Sequence, residues 1–320
     1  MNKKLKYLLI IFLIAILNIC LFCPISNSNT AKDEIINIAF NIDKNYPIYT
    51  MLTINSIVKN SNSKFEFYII ENNLTDTQKT LMNFIVKKFY KQNITFIHFD
   101  NPIVNKNKRI YLEKNITNIA IARIMLPQIV KNVDKIIYLD SDILVNTDIK
   151  ALWDVDLNKH HTGMVQDIVQ YKIEGTEIKN HYMNSGVMVI DAKQWREKRI
   201  SQKLLNLFNK SKNFQYYFVD QDIINIVLNG EIKEIPIKWN NQMYKSKMLY
   251  QKNDCIYHFT GHNKPWLFMT NSKQEKLYTR YWNHSPLIIF KPYYINNYII
   301  KSKKKHIYKL TNIGGYKNGQ

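Results

Sequence analysis

The sequence predicts an α/β fold, built on a largely parallel sheet with helices on its faces. Strand-like and helix-like stretches alternate from residue 35 onward, which is the pattern of βαβ units. The chain has 320 residues, of which 46% are hydrophobic and 13% aromatic, enough for one large globular domain or two small ones. In such open sheets, ligands bind beyond the carboxyl ends of the strands.

The individual elements follow from the periodicity of the apolar residues. Apolar runs predict strands at Ile36–Ile42, Phe65–Ile70, Ile94–Phe99, Lys135–Leu139, Gly163–Gln166 and Gly186–Ile190. Helical spacing predicts helices at Pro47–Asn60, Thr75–Tyr90, Asn118–Val130, Arg199–Asn209 and Gln221–Leu228. Thr75 or Asp76 can cap the second helix, and Pro127 is expected to disturb the third.

Residues 1–30 predict a signal or membrane-anchor segment. Three lysines precede an apolar run from Tyr7 to Phe22, about the minimum length that spans a bilayer. We expect an uncleaved, single-pass anchor and a membrane-associated protein; a cleaved signal and a buried core helix are the alternatives. The lysines favour a cytosolic N-terminus, but the side of the membrane that holds the catalytic part stays open.

Residues 271–320 predict a basic, aromatic tail, which leaves residues 31–270 as the main folded domain. Nine Lys and Arg residues and no acid lie between positions 276 and 320, which suits contact with an anionic membrane. A disordered basic tail is the alternative. The formal charge of +20 is accompanied by no nucleic-acid-binding motif, so we expect no nucleic acid partner.

Two carboxylates interrupt the apolar stretch KIIYLDSDILV, Lys135 to Val145. In an extended segment, Asp140 and Asp142 point to the same side, where they can share a hard cation such as Mg²⁺ or Mn²⁺. If buried without a cation, the pair would cost several kcal/mol. The spacing alone leaves metal binding and a solvated turn equally open.

Two other Asp-x-Asp triplets show how little the bare pattern says. Asp154 and Asp156 precede polar residues and predict a solvated loop. Asp220 and Asp222 precede an apolar helical run, where they suit a helix start as well as a functional site. The three cysteines have neither disulfide nor metal-site spacing.

Six sequence blocks, taken in order, carry a family resemblance. They are IAFNIDKNY (Ile38–Tyr46), Ala122-Arg123 with MLP, KIIYLDSDILV with DIKALW, YMNSGVMVIDAKQWR (Tyr182–Arg196), DQDIIN (Asp220–Asn225), and IPIKWN with IYHFTGHNKPW (Ile256–Trp266). Together they resemble glycosyltransferase family 8, which includes bacterial lipopolysaccharide galactosyl- and glucosyltransferases and glycogenin. The resemblance implies a GT-A fold and retaining transfer of glucose or galactose from a UDP-sugar, with Mn²⁺ or Mg²⁺. The implied acceptor is a surface glycan or glycolipid.

The resemblance also implies a role for each matching residue. The metal ligands would be Asp140, Asp142 and His258, and the catalytic residues Gln221 and Asp220. The donor would contact Asp43, Asn45 and Tyr46 at the nucleoside, Asn184, Ser185 and Gly186 at the sugar, and Gly261 and Lys264 at the diphosphate. Arg123 would contact the sugar or the diphosphate, and Ser141 would be a further donor contact. An imidazole ligand favours Mn²⁺ over Mg²⁺, and glycine lets backbone approach a phosphate closely.

The implied retention raises a question of mechanism. Gln221 is an amide and a poor nucleophile, and Asp220 is the adjacent carboxylate. We therefore expect front-face departure, in which the leaving phosphate guides the incoming hydroxyl and Gln221 stabilises the positive charge on the sugar. Double displacement would instead require a carboxylate close to the sugar.

The sequence departs from the family pattern at the nucleotide end. Lys44 stands where members often have an acid, and Ile42 is bulkier than usual, so the base preference is less certain than metal binding. Two other functions stay open: a nucleotidyltransferase that uses the same paired acids, and a non-catalytic sugar-nucleotide-binding protein. The first would need a glycine-rich phosphate loop, which NIDKNYP does not supply.

Overall fold

The computed structural model describes residues 34–100, 118–169, 181–210, 219–244, 247–248, 250, 252–261, 264–267 and 272–292. The chain divides into a unit of residues 34–287 and a second unit made of its two ends. Every element named below belongs to the first unit. The predicted domain boundaries at residues 30 and 270 stay predictions.

The first half of the unit alternates strands and helices. In chain order these are β1 (Ile35–Asp43), α1 (Pro47–Asn60), β2 (Lys64–Asn72), α2 (Asp76–Lys88), β3 (Asn93–His98), α3 (Asn118–Ile129) and β4 (Lys135–Leu139). Thr75 caps α2 through a capping box with Gln78, as its sequence predicts. Pro127 lies inside α3 without ending it, so the expected disturbance is absent from the helix bounds.

The second half contains shorter elements. They are β5 (Ile143–Val145), α4 (Lys150–Trp153), β6 (Thr162–Gln166), β7 (Met183–Asp191), α5 (Ala192–Glu197), α6 (Ile200–Lys210), α7 (Val219–Val227), β8 (Ile232–Glu234), β9 (Asn241–Tyr244), β10 (Lys247–Met248), β11 (Ile256–His258) and α8 (Lys273–Asn283). The strands β5 and β8–β11 and the short helices α4 and α5 were not predicted as elements, because runs this short carry little periodic signal. Helix α8, with 11 residues, was not predicted either.

Seven strands form the main sheet in the order β3-β2-β1-β4-β7-β6-β8. The pairs β1–β2, β2–β3, β1–β4 and β6–β8 are parallel, whereas β7 runs antiparallel to both β4 and β6. A second sheet has the order β10-β9-β11-β5. The prediction of a mixed α/β fold with a central sheet flanked by helices is confirmed.

Helices α3, α5, α6 and α7 supply most of the main hydrophobic core, packed on one face of the large sheet. Large side chains such as Trp195 and Phe208 are almost fully buried there, beside the sheet residues Ala39 and Tyr138. Burying a side chain of this size contributes about 1.5–3 kcal/mol relative to leaving it exposed. The core therefore holds α3 and α7 firmly against the carboxyl end of β4.

The prediction of a single-pass anchor is corrected here. Among the described residues, none of the helices combines the length and the apolar character needed to cross a bilayer. The segment on which the prediction rested, residues 1–30, lies outside the described residues. Most of the predicted basic tail, residues 293–320, lies outside them as well.

Candidate active site

The paired aspartates lie in the turn between β4 and β5. Asp140 directly follows β4, and its backbone N–H donates to the carbonyl of Gly186 on β7 (2.9 Å). Ser141 is buried, and its hydroxyl oxygen accepts from Thr50 Oγ1 of α1 (2.9 Å). Ser141 thus faces α1, while Asp140 and Asp142 face the other way, as their spacing predicts.

His258, the last residue of β11, joins the two carboxylates. It pairs with Ile143 of β5, and the next residue, Phe259, donates its backbone N–H to the carbonyl of Asp142 (3.0 Å). The imidazole Nε2 lies 3.3 Å from Asp142 Oδ1 and 3.7 Å from Asp140 Oδ2. One ligand atom from each of these three side chains lies within 4.8 Å of the others.

One carboxylate oxygen of each aspartate, the one turned away from His258, is paired with a basic side chain. Asp140 Oδ1 accepts from Arg123 (2.6 Å) and from the Tyr138 hydroxyl (2.7 Å), and Asp142 Oδ2 accepts from Lys264. Burial opposes ionisation of Asp142, but the charge of Lys264 holds its pKa below the usual range. The oxygens turned toward the imidazole are therefore those left to coordinate an ion.

This donor set fits a divalent metal ion. Two carboxylate oxygens and one imidazole nitrogen suit Mn²⁺, and three protein ligands leave positions for phosphate oxygens. Within the part of the chain that the structure describes, Asp140, Asp142 and His258 are the single group of three such side chains. The ion itself, Mn²⁺ or Mg²⁺, stays a prediction.

Gly186 of β7 lies directly against this cluster. A Cβ atom at this position would overlap His258 Cε1 and would lie 2.8 Å from His258 Nδ1 and 2.9 Å from Asp140 Oδ2. Only glycine lets β7 pass this close to the imidazole and the carboxylate. The predicted donor-binding position at Gly186 therefore has a steric role beside the metal ligands.

Arg123 of α3 bridges two carboxylates. Its guanidinium contacts Asp140 Oδ1 (2.6 Å), Asp220 Oδ2 (3.0 Å) and the Tyr138 hydroxyl (3.0 Å), and it also donates to Ser185 Oγ. Burial alone would lower the pKa of Arg123, but the neighbouring carboxylates keep it above its usual range. Arg123 is thus a permanent positive charge at the centre of the site.

Asp220 and Gln221 lie in the first turn of α7. Burial raises the pKa of Asp220, and the Arg123 charge partly opposes that shift. Gln221 Oε1 accepts from the backbone N–H (2.9 Å) and the hydroxyl (3.2 Å) of Ser185, and Gln221 Nε2 donates to Asp167 Oδ2 (3.1 Å). The amide is therefore fixed in one orientation.

An irregularity in the main sheet exposes part of β7 to the site. Met164 of β6 pairs with Met188, but the next residue, Val165, pairs with Asn184. Residues 185–187 of β7 are therefore skipped by the β6 ladder at the point where Ser185 and Gly186 contact the site. A bulge that redirects a strand beside an active site is a recurrent device.

The predicted nucleotide-binding residues form a turn between β1 and α1. The Asp43 carboxylate accepts from the backbone N–H of Asn45 (2.8 Å), and Tyr46 is 38% exposed. Burial, followed by the charge of Asp142, raises the pKa of Tyr46, so this turn lies near the metal ligands. Pro47 follows as the first residue of α1.

The loop after β11 supplies the predicted diphosphate contacts. Gly261 has φ of +78°, a conformation that favours glycine, and a Cβ there would meet nothing within 4 Å. Lys264 donates to Asp142 and to the carbonyl of Phe259 (2.6 Å). Trp266 stacks on Tyr49 of α1 with ring centroids 4.0 Å apart, which ties the end of the loop to α1.

Several residues of the site were not identified from the sequence. Asp167 follows β6 and lies against Gln221, and Asn240 lies against the His258 ring. Asn41 on β1 has both side-chain polar atoms buried without a hydrogen-bond partner. Asn240 ends the quoted block IPIKWN and Asn41 lies in the quoted block IAFNIDKNY, so both blocks gave a signal, whereas no pattern pointed to Asp167.

The other aspartate triplets behave as their neighbours predict. Asp154 and Asp156 are exposed, and Asp156 accepts from the backbone N–H of Asn158 (2.8 Å) in a loop. Asp222 is fully buried and accepts from the Tyr182 hydroxyl. Of the three triplets, the one that follows β4 holds two members of the described metal cluster.

Known proteins and a family model match the sequence of this chain. A family model described as glycosyl transferase family 8 matches residues 37–270. General stress protein A of Bacillus subtilis is 29% identical over 276 residues, covering 79% of this chain and 95% of that protein. A lipopolysaccharide 1,2-glucosyltransferase of Escherichia coli K12 is 28% identical over 265 residues, covering 76% and 75% of the two chains.

A solved structure shares the fold. The galactosyltransferase LgtC, crystallised in complex with donor and acceptor sugar analogues, superposes with a TM-score of 0.66 at 22% sequence identity. The match covers 78% of this chain and 96% of that one. This likeness agrees with the predicted GT-A fold.

Proposed function

Because the chain belongs to glycosyltransferase family 8, we propose that this glycosyltransferase is a metal-dependent, retaining hexosyltransferase. Its donor would be UDP-glucose or UDP-galactose, and its acceptor a surface glycan or glycolipid of the lipopolysaccharide type. The relatives named as lipopolysaccharide glucosyltransferases support that acceptor class. A nucleotidyltransferase or a non-catalytic binding protein gains no support from the family match.

One observation carries the proposal: two aspartate oxygens and a histidine nitrogen converge at the carboxyl end of β4. The remaining oxygen of Asp140 is paired with Arg123, and that of Asp142 is paired with Lys264. When bound there, Mn²⁺ or Mg²⁺ would neutralise the charge that develops on a departing diphosphate. The ligands would be Asp140, Asp142 and His258.

The remaining charges of the chain suit the same leaving group. Lys264 lies on a loop whose glycine leaves open space for a phosphate, and its ammonium group could transfer from Asp142 to a diphosphate oxygen. Arg123 is buried and bridges Asp140 and Asp220, so we propose that it acts at the sugar side through the field of its charge. Asp43, Asn45 and Tyr46 would hold the nucleoside.

The contacts of Asp220 and Gln221 favour front-face departure. Asp220 is ion-paired with Arg123, which reduces its strength as a nucleophile. Gln221 Oε1 already accepts two hydrogen bonds from Ser185, so it would have to exchange one of them to face a positive sugar. We propose that Asn184, Ser185 and Gln221 line the donor-sugar pocket. Trapping of a glycosyl adduct on Asp220 would contradict this mechanism.

The test is a panel of UDP-sugars incubated with the protein, with UDP release measured in Mn²⁺, Mg²⁺ and excess chelator. We expect UDP release from at least one UDP-hexose, with loss of about 10²-fold or more in chelator. Asp142→Asn should cause a similar loss, whereas Asp154→Asn, an exposed aspartate of a similar triplet, should not. Absence of metal-dependent UDP release from every sugar would refute the proposal.

A further inference from the structure

A line of four buried polar side chains runs from the end of β6 to the proposed metal site. Asp167 Oδ2 accepts from Asn184 Nδ2 (2.9 Å), Asn184 Oδ1 accepts from Asn240 Nδ2 (2.8 Å), and Asn240 Oδ1 lies 2.9 Å from His258 Nδ1. All four residues are less than 9% exposed. Water therefore competes little for these hydrogen bonds.

The direction of every hydrogen bond in this line follows from its first member. A carboxylate only accepts, so Asn184 must present its NH₂ group to Asp167 and its oxygen to the other side. The backbone N–H of Gly186 donates to the same Asn184 oxygen (3.0 Å), and because a backbone N–H only donates, it imposes the same orientation. Two independent contacts thus fix the Asn184 amide.

The orientation of Asn184 then determines that of Asn240. The Asn184 oxygen requires an N–H donor, so Asn240 turns its NH₂ group toward it and its carbonyl oxygen toward His258. A carbonyl oxygen beside Nδ1 requires that nitrogen to carry the proton. The other ring nitrogen, Nε2, is the one that faces Asp140 Oδ2 and Asp142 Oδ1, so its lone pair is the one available to a cation.

We propose that Asp167 and Asn240 are positioning residues that hold His258 in its Nδ1–H tautomer. The imidazole would then present an unprotonated Nε2 to a divalent cation before the cation arrives. Partners of a metal-binding histidine on its far ring nitrogen often have this effect on tautomer and ring orientation. The role in metal binding rests on the proposed function, whereas the tautomer itself does not.

Asp167 has a second contact of the same kind. Its Oδ2 atom also accepts from Gln221 Nε2 (3.1 Å), the amide proposed to line the sugar pocket. One carboxylate oxygen therefore orients both the metal-ligating imidazole, through two asparagines, and the amide beside the donor sugar. Removing this carboxylate should disturb both ends of the site together.

The tautomer can be read directly from the full-length protein by ¹⁵N NMR of labelled histidine without metal. The spectrum should be recorded at about pH 8.5, where an ordinary histidine is neutral, and then at rising pH until one ring nitrogen of His258 has lost its proton. Comparison with His258→Gln identifies the His258 signals among the eight histidines. We expect the pyridine-type nitrogen of His258 to show strong couplings to both ring C–H protons, which marks it as Nε2. A pyridine-type Nδ1 in the wild-type protein would overturn the proposal.

Two variants test the line itself. Asp167→Leu keeps the shape of the side chain without its oxygens, and Asn240→Ala removes the acceptor for Nδ1–H; both should give a mixed or inverted tautomer and weaken Mn²⁺ binding about 10–100-fold. Asn241→Ala is the control, because Asn241 is equally buried but bonds to Tyr250 and Cys255 instead. Mn²⁺ binding is measured by the electron paramagnetic resonance signal of the unbound ion, with UDP present.

The outcomes separate this inference from the proposed function. If the wild-type protein binds no Mn²⁺ with UDP, the proposed metal dependence fails, while the NMR spectrum still decides the tautomer. If the wild-type protein binds Mn²⁺ and Asp167→Leu binds it equally well with an unchanged His258 spectrum, the positioning role is wrong. Should Asn240→Ala fail to fold, the wild-type spectrum and Asp167→Leu remain decisive.

Discussion

Replacing Gly186 by alanine should remove metal binding at a modest cost in stability. The added Cβ would lie 2.8 Å from His258 Nδ1 and 2.9 Å from Asp140 Oδ2. Ordinary contacts between such atoms begin at about 3.5 Å, so Asp140 must retreat by roughly 0.6 Å, and His258 by more because the Cβ also overlaps its Cε1 atom. A protein metal site tolerates errors of about 0.2 Å in ligand distance.

The displacement is therefore about three times the tolerance of the site. We expect Mn²⁺ affinity and metal-dependent UDP release to fall by about 10²-fold, the effect of a misplacement near 1 Å. The free energy of unfolding should fall by about 1–3 kcal/mol, because overpacking is partly relieved by the shift of neighbouring side chains. Both quantities are measured on the same preparation, by ion titration and by urea denaturation.

Gly163→Ala is the matched control. Gly163 lies on the adjacent strand β6, where an added Cβ would come 3.0 Å from Leu157 Cδ2 and 3.2 Å from Ile235 Cγ2, both ends of apolar side chains. This variant should lose a similar amount of stability yet keep its Mn²⁺ affinity. The steric reasoning is refuted if Gly186→Ala folds and binds Mn²⁺ like the wild-type protein.

Three further predictions follow from the charges and the unpaired amide. Lys264→Met should destabilise the protein at pH 7 and destabilise it less below about pH 4. The pKa of Asp142 is lower in the folded protein than in the unfolded chain, so the Asp142–Lys264 ion pair stabilises the fold above the unfolded-state pKa of Asp142, and this stabilisation is lost as the pH falls. Urea titrations at both pH values check this, and an equal loss at both would contradict it. Arg123→Met should cost about 3–5 kcal/mol at pH 7 by leaving buried carboxylates unpaired, and less in acid, where Asp220 can protonate; thermal unfolding across pH measures it. Asn41→Ala should leave the free energy of unfolding unchanged or raise it, because the buried amide has no hydrogen-bond partner. If the amide binds the donor, the same variant raises the KM for the donor; an unchanged KM would exclude that role.

The sequence was most informative where the structure is local. Strands β1 and β4 are mainly apolar runs, and the Thr75 capping box lies within four residues. These features could therefore be predicted from neighbouring residues alone. The antiparallel direction of β7 could not, because it depends on pairing with β4 across a long connection. The pattern of apolar residues in β7 is equally compatible with a parallel and an antiparallel strand.

The site divides in a similar way. The resemblance assigned Asp140, Asp142 and His258 to one metal site, and the structure brings their ligand atoms together. Asp167 and Asn240 carry no periodic or spacing signal, since their partners lie far away in the sequence. Buried polar networks of this kind become visible only when the strands that carry them are placed side by side.

The pairing of β5 with β11 has a consequence for how the enzyme matures. These two strands, which carry the aspartate turn and His258, are more than a hundred residues apart in sequence. Contacts of such separation close large loops and form late in folding. A chain emerging from the ribosome therefore exposes Asp140 and Asp142 long before His258 is synthesised. We expect the nascent aspartates alone to hold a divalent ion weakly, so that metal loading reports completion of the fold.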